Sequence, residues 1–115
     1  MKGILFASLA ILILSGCSTT PNQMRESSPN ETYTSTKQPK EIMLCIADEW
    51  EDSGVVNTRE RVNGYSVALA LSDGKLRYLA DIEAENGVSI TRLYKWRSIV
   101  LGGQDPWFKD AGGCQ

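Results

Sequence analysis

The sequence predicts a small α+β domain. It has a helix, a four-strand antiparallel meander and a short C-terminal helix, with both helices packed on one sheet face. Three observations lead there. Ile42, Cys45, Ile46 and Trp50 recur at the spacing of one helix face, just after Pro39. Asn63-Gly64, Asp73-Gly74 and Asn86-Gly87 follow at short, regular intervals, and such dipeptides are the strongest local signal of hairpin turns. Finally, Asp105-Pro106 opens and Gly112-Gly113 closes a short stretch that carries Trp107, Phe108 and Ala111.

The first helix begins near Pro39, which suits the first helical turn, and Gly54 is placed to stop it. Glu41, Asp48, Glu49, Glu51 and Asp52 occupy the rest of its surface, and a solvated face explains them better than a metal or proton-transfer site. The predicted strands are Val55–Val62, Tyr65–Leu71, Lys75–Glu83 and Val88–Arg97. A two-residue turn at Asn63-Gly64 pairs Thr58 with Leu69 and Glu60 with Val67. One at Asp73-Gly74 pairs Leu71 with Leu76, Leu69 with Tyr78, Val67 with Ala80 and Tyr65 with Ile82. All the large apolar residues of the two central strands then share one face. A two-residue turn at Asn86-Gly87 sets Thr91 beside Ile82 and breaks that pattern. The reading is therefore a three-residue loop, Glu85-Asn86-Gly87, with Gly87 in a left-handed bulge position. It pairs Ile82 with Ile90, Tyr78 with Tyr94 and Leu76 with Trp96, and it gathers Trp50, Trp96 and Trp107 into one core beneath the helices.

The same register assigns the opposite face: Arg59 and Arg61, then Ser66, Ala68 and Ala70, then Lys75, Arg77, Leu79 and Asp81, then Thr91, Leu93, Lys95 and Arg97. Arg77 falls across from Lys95 and Lys75 across from Arg97. Like charges directly opposite are mildly destabilising, so their concentration here marks Arg59, Arg61, Arg77, Lys95 and Arg97 as a candidate surface for an anionic partner. The plainer alternative is a solvated face whose Arg and Lys stems cover apolar surface.

Ahead of the domain, Ser18 to Gln38 is rich in Ser, Thr, Asn and Pro, with Met24 and Tyr33 its only sizeable apolar residues. Residues 17–38 accordingly read as a disordered tether with a reach of roughly 25 Å, and residues 39–115 as the domain.

The N-terminus carries Lys2 and an apolar stretch from Ile4 to Leu14, the length of a signal-peptide core and too short to span a bilayer. It ends in Leu14-Ser15-Gly16-Cys17, which resembles the lipobox of bacterial lipoproteins. The resemblance implies that signal peptidase II removes residues 1–16 and that Cys17 carries diacylglycerol on sulfur and a further acyl chain, such as palmitate, on its amine. Two or more chains make a stable membrane anchor. Ser18 follows the cysteine in place of the aspartate that signals inner-membrane retention, which implies the outer membrane, facing the periplasm, in a Gram-negative cell. Cys45 and Cys114 are then the only cysteines left, and in an oxidising compartment they most simply form a disulfide. Two free thiols or a metal pair are the alternatives, but with no histidine a metal needs carboxylates at spacings the chain lacks.

Of twelve Lys+Arg one, Lys2, lies in the signal segment, so eleven face fourteen Asp+Glu in the mature chain, a balance that gives no support for nucleic acid as a partner. Catalysis has no support either. There is no histidine, no thiol left free and no Gly-rich loop between a strand and a helix, and nothing marks a cofactor site. Glu60 and Glu83 are the one carboxylate pair to weigh, and edge charges that deter aggregation explain them better. The sequence thus points to a lipid-anchored, non-enzymatic envelope protein that binds a protein partner or assembly. The alternative is an inhibitor or exclusion lipoprotein acting against an incoming lytic enzyme or phage component.

Overall fold

A computed structural model describes residues 19–96 and 104–115. The signal segment, Cys17 and Arg97 lie outside them. The elements are α1 (Pro21–Arg25), β1 (Glu31–Ser35), α2 (Pro39–Trp50), β2 (Val55–Arg61), β3 (Gly64–Ala70), β4 (Leu76–Glu85), β5 (Val88–Lys95) and α3 (Pro106–Gly112). The five strands form one antiparallel sheet in the order β1-β5-β4-β3-β2. Among the described residues no helix is long and apolar enough to cross a membrane.

The core lies between one sheet face and the pair α2 and α3. Ile42, Ile46 and Trp50 of the expected stripe are buried on α2, joined by Met43, while Cys45 is partly buried; the helix ends at Trp50 and the chain turns through 51–53 before Gly54. The helix α3 starts where the sequence places it: Pro106 follows the cap, and the Asp105 carboxylate accepts hydrogen bonds from the main-chain N–H groups of Trp107 and Phe108. Tyr78 stands at the centre, fully buried. Its ring lies 6.0 Å from that of Trp50, 5.0 Å from Trp107 and 5.7 Å from Phe108. The Trp50 Nε1 donates to the Trp107 carbonyl at 3.0 Å, so the two helices are joined by a hydrogen bond as well as by packing. Cys45 on α2 and Cys114, just after α3, form the expected disulfide. It closes a loop of 69 residues, for which the chain-entropy argument gives about 4 kcal/mol of stabilisation.

The β3–β4 register is as predicted from Tyr65↔Ile82 to Leu69↔Tyr78. Beyond it a bulge shifts the pairing to Ala70↔Leu76 and leaves Arg77 without a partner on β3. The connection is longer than the expected two residues. Gly74 takes a positive φ of 79°, its N–H donates to the Leu71 carbonyl, and Leu71 N–H in turn reaches the Lys75 carbonyl. In the β2–β3 hairpin, Arg61 faces Gly64 and Thr58 faces Val67, two residues away from the expected register. A shift of two keeps every side chain on its predicted face. Here the glycine serves close approach instead of the turn: a Cβ on Gly64 would stand 1.8 Å from the Ile82 carbonyl oxygen.

Two expectations are corrected. The Asn86-Gly87 connection is a two-residue turn with both residues at positive φ, 52° and 84°, the combination a type I′ hairpin needs. Glu85 therefore faces Val88, and Ile82 faces Thr91. This one-residue difference moves every β5 side chain to the face opposite the one predicted. Thr91, Leu93 and Lys95 lie on the helix side, while Arg92, Tyr94 and Trp96 lie on the other, so Trp96 is not part of the core of Trp50 and Trp107. The polar residues turned inward are satisfied. Thr91 Oγ1 donates to Gln115 Oε1 at 3.1 Å, and Ser89 Oγ donates to the Lys37 carbonyl at 2.6 Å.

The second correction concerns residues 17–38, expected as a structureless tether. They contain α1 and β1, and β1 pairs with β5 from Glu31↔Leu93 to Ser35↔Ser89. The sheet thus has five strands. The two apolar residues of the segment supply the reason. Tyr33 packs against the helix-side core, and Met24, 5% exposed, packs with Leu79 and Tyr94 on the other face. Both sheet faces therefore carry apolar packing, whereas the three-residue loop rests on gathering the large apolar residues on one face.

Candidate functional site

The outer sheet face is organised around Asp81. This carboxylate is buried in the middle of β4 and receives two hydrogen bonds from Arg25, Nε to Oδ2 at 2.7 Å and Nη2 to Oδ1 at 2.8 Å, with Arg61 Nη1 at 3.0 Å. A planar guanidinium matches a carboxylate in this two-point fashion, and it fixes α1 on the sheet as well as neutralising Asp81. Its hydrogen bond to Asp81 raises the Arg25 pKa above its ordinary value, against the opposing effect of burial. Burial in the same place pushes the Tyr94 phenol upward. Arg92 then takes Glu83 at 3.0 Å and Glu85 at 3.2 Å. Asp81, Glu83 and Glu85 are thereby matched by Arg25, Arg61 and Arg92.

The five residues predicted to form one basic surface do not come together. Arg59 and Arg61 sit on the outer face at the β2 edge, Arg61 already engaged by Asp81. Arg77 makes an ion pair with Asp73 and lies over the Trp96 ring, its guanidinium carbon 4.0 Å from the ring centre. The Lys75 N–H together with Arg77 holds the Asp73 carboxyl below its usual range. Lys95 is on the opposite face, where its Nζ lies 3.4 Å from Asp105 and 5.5 Å from the centre of the Phe108 ring. Arg97 lies outside the described residues. The pairing of Arg77 with Lys95 is replaced by Tyr78↔Lys95, a consequence of the β5 register. Glu60 and Glu83 do not face one another: Glu60 is in line with Tyr65 and Ile82, Glu83 with Gly64 and Arg61.

What remains on this side is a cleft of about 580 Å³ between α1 and the β2–β3 hairpin. Ser66, Ala68 and Ala70 form its small-residue floor, and Thr19, Arg59, Arg61, Val62 and Lys75 stand around it. Arg59 and Lys75 are exposed and form no ion pair among the described residues. Arg25 is the residue that sequence reasoning missed. Thr20-Pro21-Asn22-Gln23 was the available signal, a capping box with proline at the first helical position, and both of its reciprocal hydrogen bonds form. The β2 strand is the second open feature, since among the described residues it pairs with β3 alone. Its first half, Val55 to Thr58, carries no charge, and Val55 is 62% exposed.

No protein-family model, curated protein or solved structure matches this chain.

Proposed function

We propose that the protein is a lipid-anchored, non-enzymatic component of the cell envelope that binds an extended segment of a protein partner along β2. The anchor follows from the resemblance of Leu14-Ser15-Gly16-Cys17 to a lipobox, and the Cys45–Cys114 pair suits an oxidising compartment such as the periplasm. The outer membrane is its proposed seat, because Ser18 follows the cysteine.

The observation that carries the docking surface is the open edge of β2. An unpaired strand offers a row of main-chain donors and acceptors to which another extended chain can add, with side-chain pockets supplying selectivity. Edges are ordinarily guarded by charge, and Arg59, Glu60 and Arg61 guard one half of β2. The half from Val55 to Thr58 is unguarded. The broad basic face is set aside as the docking surface, since most of its members are matched by carboxylates or lie elsewhere.

A photo-crosslinking residue at Val55 in intact cells tests this reading. A discrete crosslinked protein is expected, lost on Val55→Lys/Thr58→Lys, which places charge on the free edge, and retained on Arg77→Glu. Retention in the lysine variant refutes the β2 edge. Catalysis of any turnover by the purified protein would refute the non-enzymatic part.

A further inference from the structure

We propose that the cleft between α1 and the β2–β3 hairpin binds the phosphate of anionic lipid headgroups, and that the outer sheet face lies against the membrane holding the anchor. This rests on the lipid-anchor reading and adds to it an orientation and a ligand.

The first support is chain length. Thr19 lines the cleft, and Cys17 precedes it by two residues. Two residues span at most about 7 Å even when fully extended. A twenty-residue tether would leave the domain free to turn in any direction. With α1 fixed by Met24 on Leu79 and Tyr94 and by Arg25 on Asp81, that freedom is gone. A diacylglyceryl cysteine sits at headgroup depth, so the mouth of the cleft is held at the same level.

Charge and shape supply the rest. Three arginines are used on the three carboxylates of this face, and among the described residues Arg59, Lys75 and Glu60 stand unpaired on the cleft, an excess of one positive charge. Arg59 and Lys75 are exposed and both line the cleft, whose floor of Ser66, Ala68 and Ala70 carries no bulky side chain. Val62, 98% exposed at the hairpin tip, is on the same rim. An apolar tip flanked by basic side chains is the pattern of a surface that rests at a bilayer interface. A basic side chain near an anionic leaflet favours the docked state about fivefold, and with Glu60 set against one of the two, Arg59 and Lys75 favour it by about that factor overall.

The test uses the lipidated protein floated with vesicles of phosphatidylcholine alone or with phosphatidylglycerol added, read by amide hydrogen exchange over residues 59–64. Flotation with phosphatidylcholine, lost on Cys17→Ala, establishes the anchor independently of the cleft. The proposal then expects exchange at the hairpin tip to slow by up to about fivefold only when phosphatidylglycerol is present. Arg59→Ala/Lys75→Ala should abolish that slowing without altering the melting transition, because neither side chain has an ion-pair partner among the described residues. Equal exchange on the two vesicle types overturns the proposal while leaving the anchor standing. Loss of the slowing on adding inorganic phosphate at the lipid phosphate concentration overturns the lipid as ligand. Failure to float with phosphatidylcholine removes the anchor, and the membrane orientation with it.

Discussion

Met24→Ala is the sharpest test of the five-strand architecture, because the residue lies in a segment whose composition speaks for disorder. Met24 is 5% exposed and packs with Leu79 and Tyr94 on the outer sheet face. Truncating a buried methionine ordinarily costs about 2–5 kcal/mol, the lost transfer energy plus a cavity. The low end applies here, about 2–3 kcal/mol, since α1 has only five residues and can lift away instead of leaving a void. Its other attachment is the Arg25–Asp81 pair. Removing one partner of a buried pair costs about 3–5 kcal/mol, but Arg25 is 21% exposed at its side chain and Arg61 remains on Asp81. Arg25→Ala should therefore cost about 2 kcal/mol. Either change undocks the same helix, so the double variant should fall short of the sum by about 1 kcal/mol. Urea unfolding reads the three values, and amide exchange at Leu79 and Tyr94 shows whether the face has opened. A Met24→Ala change below about 0.5 kcal/mol, with exchange unaltered, would refute the docked helix and return residues 19–28 to a tether.

Other consequences are as direct. Gly64→Ala should destabilise the protein by about 3 kcal/mol or more, since its Cβ would meet the Ile82 carbonyl oxygen at 1.8 Å. Gly87→Ala, with φ at 84° and open space around it, should cost only about 1 kcal/mol, and similar losses in thermal unfolding would contradict the two structural reasons. The Tyr78 phenol is pushed well above its usual range, first by burial and then by its hydrogen bond to Asp105. Its stabilising contribution is therefore complete below about pH 10, where the unfolded tyrosine ionises, and is lost as pH rises above it. Absorbance at the phenolate band should show Tyr78 ionising only with unfolding, and Tyr78→Phe should flatten that alkaline loss of stability. Lys95→Glu should destabilise the fold more than Arg59→Glu, because it sets a carboxylate against buried Asp105, and the reverse order would contradict the β5 register. Joint replacement of Cys45 and Cys114 by alanine should lower stability by up to about 4 kcal/mol, checked against the reduced parent protein.

Much of the helix side was legible because its signals are local and agree with one another. Periodicity placed Ile42, Ile46 and Trp50, a proline and an aspartate fixed the start of α3, and cysteine arithmetic paired Cys45 with Cys114. The outer face was not, and the two departures share a physical origin. Composition weighs a segment by its average, and one methionine and one tyrosine among Ser, Thr and Asn do not raise that average. Yet each meets a preformed apolar surface, and burying one large side chain of this kind is worth about 1.5–3 kcal/mol. Without α1, the outer face would have to be polar, and an inward Ile90 would look better than an inward Thr91. Hydrophobic alternation then outweighed the intrinsic preference of Asn86-Gly87 for a two-residue turn.

With α1 in place the argument reverses: Leu79 and Tyr94 need apolar cover, which Met24 gives, and the Thr91 hydroxyl finds Gln115. The same reversal changes the function that the site can serve. A register with Arg77 opposite Lys95 builds an unmatched basic plane suited to any anionic surface. The observed register distributes those residues to two faces and matches three arginines with three carboxylates. What is left unmatched among the described residues, Arg59 and Lys75 with Glu60, borders a cleft that also contains Thr19, two residues from Cys17. A docked helix thus converts a long flexible reach into a short fixed one. It places the residual positive charge near the proposed anchor and leaves β2 as one of the two edges of the sheet.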